Sequence, residues 1–179
     1  DADDLSKTPV WIPSATNRII SVGFLGDEKI YFITEQPITR QDGKLSFTNK
    51  LYITDLEGRR FEEPFKRTGT RNKEIRELMD KGITISVFNS DLYQENEILI
   101  STTNPENFST EIYKYNIVSG DTELVAREGE EWSFNSEGVD LNTGELLIRQ
   151  KSDTDRDGKF HLFTEIKDRT TNQWVEHPE

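Results

Sequence analysis

Apolar residues come in short runs along this chain, and each run ends in a cluster of Gly, Asn or Asp. Ile19–Phe24, Lys29–Thr34 and Lys50–Thr54 either alternate or read as continuously apolar over a few positions. This is the pattern of β-strands half or fully buried on a pleated surface, with turns between them. One stretch departs from it. Between Thr70 and Gly82, Ile75, Leu78 and Met79 fall at i, i+3 and i+4, and Gly82 stands where a glycine closes a helix. The pattern predicts one short helical insert, about 70–82, in an otherwise all-β chain. The lead-in 1–18 holds Pro9 and Pro13 and is expected to be a loop or linker.

The strands repeat on one plan: a first strand, a buried strand, an aromatic strand and a polar hairpin turn. The buried strands are Lys29–Thr34, Glu97–Ser101 and Glu145–Arg149. The aromatic strands are Lys50–Thr54, Glu111–Tyr115 and Phe160–Phe163, followed by turns at Asp55–Arg59, Val118–Asp121 and Asp168–Asn172. Phe32, Ile100 and Ile148 mark the period, 68 and then 48 residues apart, and the longer spacing holds the helical insert. A repeat of this length built from four strands is the signature of a β-propeller blade. The expected architecture is a partial β-propeller over 19–179, with about three four-stranded antiparallel blades at 19–66, 83–128 and 131–176. Three blades do not close a ring, which usually takes about four to eight. The chain also opens at Asp1 with neither Met nor a basic-then-apolar leader. Both features lead to the expectation of a piece of a larger protein, whose free edges favour self-association.

Composition narrows the partners. The formal charge is −12, which disfavours nucleic acid and anionic membrane surfaces, because phosphate contacts need clustered Lys and Arg. No apolar run approaches the ~18 residues of a membrane span. There is no cysteine, hence no disulfide or thiolate chemistry, and a bacterial cytoplasm or periplasm fits equally.

Catalytic chemistry is sparse. A G-x-S-x-G elbow is absent, and Ser119-Gly120 reads as a hairpin turn. Of the two histidines, His161 sits on a strand and His177 near the chain end. The three tryptophans, Trp11, Trp132 and Trp174, read as core or blade-interface residues. One motif has a chemical reading. Asp153, Asp155 and Asp157 with Gly158 match the opening of a calcium loop, D-x-D-x-D-G. The twelfth position is Thr164 and the acid, Glu165, comes one residue late. The same residues also suit an ordinary Asp- and Gly-rich hairpin turn.

The run from Ile20 to Trp174 resembles the N-terminal propeller of bacterial peptidases of the prolyl oligopeptidase family, the dipeptidyl- and acylaminoacyl-peptidase-like members. The resemblance is carried by Gly26–Phe32, Leu51–Arg59, Asn96–Thr102, Ile112–Gly120, the Arg149 strand and the Asp157-Gly158 turn. It implies a non-catalytic propeller that gates the access of short peptide substrates to a following α/β-hydrolase domain, where the serine, aspartate and histidine would lie. The helical insert and the Asp-rich turn depart from the family pattern. Two other readings stand beside it: a stand-alone binding or scaffold propeller of the cell envelope, and a propeller acting on sugars. The reading frame after Glu179 separates them.

Overall fold

The computed structural model describes residues 17–39, 42–65, 83–91, 96–104, 107–128 and 132–177. The insert expected at 70–82 and most of the lead-in lie outside them. The described chain is all-β, with three four-stranded antiparallel sheets. Sheet 1 holds β1 (Arg18–Leu25), β2 (Lys29–Thr39), β3 (Leu45–Asp55) and β4 (Phe61–Glu62). Sheet 2 holds β5 (Thr84–Asn89), β6 (Glu97–Thr103), β7 (Thr110–Asn116) and β8 (Thr122–Arg127). Sheet 3 holds β9 (Ser133–Phe134), β10 (Ile148–Thr154), β11 (Phe160–Asp168) and β12 (Gln173–Glu176). In each sheet the strands lie side by side in chain order.

The turn between the third and fourth strands is built alike in all three sheets, from an Asp or Asn that caps it. Asp55 Oδ1 accepts the Arg59 N–H at 2.8 Å, and the Gly58 N–H reaches the Asp55 carbonyl at 3.0 Å. Asn116 Oδ1 accepts from Val118 and Ser119 at 3.0 and 2.9 Å, with Gly120 closing on the Asn116 carbonyl. Asp168 Oδ1 accepts from Thr170 at 2.7 Å, and Asn172 closes on its carbonyl. The closing residues have φ of +66°, +77° and +57°, which explains Gly twice and Asn once. The short polar side chain replaces the missing backbone partner, so the turn is written locally in the sequence.

Sheet 2 is covered on both faces. Successive side chains of a strand point to opposite faces, and its two sets enter two different clusters. Ile98, Ile100, Tyr113 and Tyr115 join Leu25, Ile33, Leu51 and Ile53 of sheet 1. Leu99 and Ile112 join Val139 and Leu146, with Phe134 of sheet 3 against them. Hydrogen bonds tie both seams: Thr48 Oγ1 donates to the Ile83 carbonyl at 2.9 Å, and Asn89 Nδ2 to the Ser136 carbonyl at 3.0 Å.

Sheet 3 differs from the expectation at its second strand. The buried strand expected at Glu145–Arg149 is instead β10, starting at Ile148. Before it, Asp140 opens a further turn, accepting the Asn142 N–H at 2.9 Å, while Gly144 at φ +73° bonds the Asp140 carbonyl. The Leu147 N–H then donates to the Gly138 carbonyl while the Leu147 carbonyl accepts from Lys167, two partners in different segments. That irregularity delays the strand and shifts its phase. Counting back three residues from Asp55, Asn116 and Asp168 gives the cross-strand pairs Phe32–Tyr52, Ile100–Tyr113 and Arg149–Glu165. Arg149, one position past Ile148, is therefore the counterpart of Phe32 and Ile100.

Candidate functional site

The strand register gives sheet 3 two unlike faces. The near face, which meets sheet 2 through Phe134, bears Arg149, Lys151, His161, Phe163, Glu165 and Trp174. These side chains form a ladder. The Arg149 guanidinium lies 4.3 Å from the Trp132 ring centre and 4.5 Å from that of Trp174. Its Nε and Nη2 reach Glu165 Oε2 at 2.6 and 2.5 Å. Lys151 Nζ lies 5.4 Å from Trp132 and 5.7 Å from Phe163, and His161 stacks beside Phe163 at 6.3 Å. A guanidinium between two rings, paired with a carboxylate, has its charge answered from three sides, so the ladder holds itself together. Trp132 and Trp174, expected at core or interface positions, lie within it half-buried.

The ladder ends at the Asp-rich turn. Asp153 lies on β10 opposite His161, and the bend itself runs over 155–158. Asp155 Oδ1 accepts the N–H groups of Asp157 and Lys159 at 3.0 and 2.9 Å, and its Oδ2 meets His161 Nε2 at 3.1 Å. His161 first, and then the Lys159 N–H, hold the Asp155 carboxyl below the usual carboxylate range. Both oxygens of Asp155 are thus engaged inside the hairpin. Asp153 caps the next residue, accepting the Thr154 N–H at 2.8 Å. Among the described residues no three His, Asp or Glu side chains are gathered to hold a metal ion. Of the three aspartates singled out for calcium, Asp155 acts as the internal acceptor of a turn.

Neither histidine forms a dyad with a hydroxyl among the described residues. His161 meets Asp155, and His177 donates its backbone N–H to the Thr164 carbonyl at 2.8 Å. An open groove beside the β3–β4 turn is lined by Lys29, Asp55, Arg59, Arg60 and Glu62, among others. Arg59 there pairs with Glu57 at 3.1 Å, so the groove offers mixed charge.

The far face of sheet 3 is of another kind. Ile148, Ile166 and Val175 form one apolar row across three strands. Leu162 and Phe160 extend it opposite Ser152 and Thr154, and Gln150 pairs with Thr164. Phe160, Leu162, Ile166 and Val175 are 63, 47, 38 and 52% exposed. Along β10 and β11 the only charged residue of this face is Asp168, which is occupied in its turn. This apolar, nearly uncharged face stands out in a chain of charge −12. Sequence reasoning missed it because the phase of β10 depends on the irregularity at Leu147.

No protein-family model matches the chain, and no curated protein matches it significantly. The class defined by fold and site is thus an all-β protein of three four-stranded meander sheets. Among the described residues no helix is long and apolar enough to cross a membrane.

Proposed function

We propose that the three sheets are consecutive blades of a partial β-propeller, and that the chain is a non-catalytic segment screening access to an α/β-hydrolase domain of a serine peptidase. The observation that carries the propeller half is sheet 2, a chain-order meander covered on one face by the sheet before it and on the other by the sheet after it. Blades of a propeller are arranged in that way. The peptidase half rests on the resemblance of Gly26–Phe32, Leu51–Arg59 and Ile112–Gly120 to the prolyl oligopeptidase family. A propeller in that setting selects substrates by size: a short peptide passes, a folded protein does not. The side chains that make the sheets rigid then serve specificity without touching the reacting bond. Reading the messenger RNA past the codon for Glu179 tests the reading. An α/β-hydrolase with a G-x-S-x-G elbow is the expected continuation, and a scaffold or lipoprotein sequence there overturns the peptidase half. The chain itself is expected to stay unlabelled by a fluorophosphonate probe, and a single labelled serine would refute its non-catalytic role.

A further inference from the structure

We propose that the groove beside the β3–β4 turn of sheet 1 is a binding site for a small carboxylate anion, held by Lys29 and Arg60. The site is independent of the peptidase reading and follows from how the same corner is filled in sheet 2.

The shared turn fixes the correspondence. Asp55 and Asn116 cap the two turns, and Lys29 and Glu97 are their cross-strand partners. Two residues before the caps stand Ile53 and Lys114. In sheet 2 the corner closes on itself. Lys114 Nζ pairs with Glu97 at 3.5 Å and donates to the Thr143 carbonyl at 3.1 Å, in the segment that leads into β10. In sheet 1 both residues are exchanged. A cation stands at the carboxylate position, and an apolar side chain stands at the cation position. That ion pair cannot form, and the corner is a cavity of about 440 Å³. Small-molecule sites span roughly 300–1,000 Å³.

Register puts Lys29, Ile53, Asp55 and Glu62 on one face of sheet 1, because Lys29 lies opposite Asp55 and Ile53 opposite Glu62. Ile53 belongs to the cluster between sheets 1 and 2, which fixes the base of the groove. Arg59 and Arg60 line it from the turn. The carboxylates there are already in use. Asp55 Oδ1 accepts the Arg59 N–H at 2.8 Å, and its Oδ2 lies 3.9 Å from Arg59 Nε. Glu57 takes Arg59 Nη2 at 3.1 Å, and Glu62 is engaged as well. Lys29 and Arg60, by contrast, make no ion pair among the described residues. The free charge of the groove is therefore positive, in a chain of −12.

Two cations without an anion define the ligand. A guanidinium takes a carboxylate through two parallel N–H bonds, and a lysine ammonium adds a point charge. The methylene stems of Lys29, Arg59 and Arg60 suit the apolar body of an organic acid, which an inorganic anion lacks. Two sources share this chemistry: the free C-terminus of a short peptide and a free small acid.

Titration of the nitrogen-15-labelled chain, followed by heteronuclear NMR, tests the site with N-acetyl-leucine, its neutral amide and succinate. At least one of the two acids is expected to shift the backbone signals of Lys29, Gly58, Arg59 and Arg60 to saturation, and the tighter one names the source. The neutral amide is expected to leave them in place, and added salt to weaken the acid. Arg60→Gln, at an exposed position, should weaken binding at least about tenfold with an unchanged circular dichroism spectrum, the scale of one charge-assisted hydrogen bond. Lys29→Glu, which writes the residue of sheet 2 into sheet 1, should abolish it. Saturation by neither acid at tens of millimolar overturns the proposal, as does an equal response to the amide or an affinity unchanged in both variants. Inorganic phosphate binding more tightly than either acid would overturn the carboxylate class.

Discussion

Sheets 2 and 3 are built from the same four-strand plan and use it in opposite ways. In sheet 2 the central pair is Ile100 opposite Tyr113, both buried, and each face meets a neighbouring sheet. In sheet 3 the corresponding pair is Arg149 opposite Glu165, held between Trp132 and Trp174 on the half-buried face, while the uncharged face is the exposed one. The usual rule sends charge outward and apolar groups inward. Its reversal in sheet 3 teaches that burial within one chain does not report which face is meant for solvent. Position relative to the repeated turn reports it better, because that position is shared with sheets whose neighbours are present.

The largest effect that separates the two sheets is expected from matched truncations. Ile100→Ala removes a fully buried side chain from a tight cluster and should cost about 2–5 kcal/mol in urea unfolding. Ile166→Ala, at an exposed position, should stay within about 1 kcal/mol for the monomer. Equal losses would mean that Ile166 is covered in solution and would break the comparison. Next comes the ion pair. Arg149→Ala leaves Glu165 without its partner and two rings without their cation, a loss of roughly 2 kcal/mol. Arg149→Ile, which writes the residue of sheet 2 into sheet 3, should recover part of it when combined with Glu165→Tyr. A double variant as weak as the alanine would show that the two seams are not interchangeable.

Acid should act on the turns. The Thr170 N–H, first among several donors, holds Asp168 below the usual carboxylate range, and the Asn142 N–H does the same for Asp140. A folded-state pKa lowered from its unfolded value of 3.8 adds stability above that pH and loses it as pH falls through the folded value. The melting temperature is thus expected to drop as pH goes below about 4, and to drop less steeply in Asp168→Asn, whose amide still caps the turn as Asn116 does in sheet 2. Smallest is the response to calcium. With Asp155 engaged by its own hairpin, millimolar calcium should leave the melting temperature where a chelator leaves it. A calcium-induced rise that vanishes in Asp155→Ala would return an ion to this turn.

Much of the fold is legible in the chain, and the reason is local. Asp55-Leu56-Glu57-Gly58, Asn116 with Gly120, and Asp168 with Asn172 encode their turns within five residues, so the repeat can be read by eye. The apolar runs of β6 and β7 are strong because both of their faces are buried. Where the reading slips, the cause is a backbone partner far away. Leu147 divides its hydrogen bonds between Gly138 and Lys167, and nothing in Glu145–Arg149 announces that. The slip moved Ile148 into the place of Arg149 and hid the uncharged face. The Asp153–Asp157 motif is ambiguous for a different reason: alternating aspartates fit a metal loop and a capped hairpin equally well, and the contacts of Asp155 with Lys159 and His161 are those of a hairpin.

The meander order has a kinetic consequence. Every strand pair joins neighbours in the chain, so the ladders close short loops. Only the seams reach further, as from Thr48 to Ile83 or Asn89 to Ser136. All-β proteins fold slowly when their pairings are non-local, and here the pairings are local. Each sheet can zip as its residues leave the ribosome, with sheet 2 docking on a finished sheet 1 and sheet 3 on a finished sheet 2. The order of synthesis is then also the order of assembly, each sheet docking on one already built.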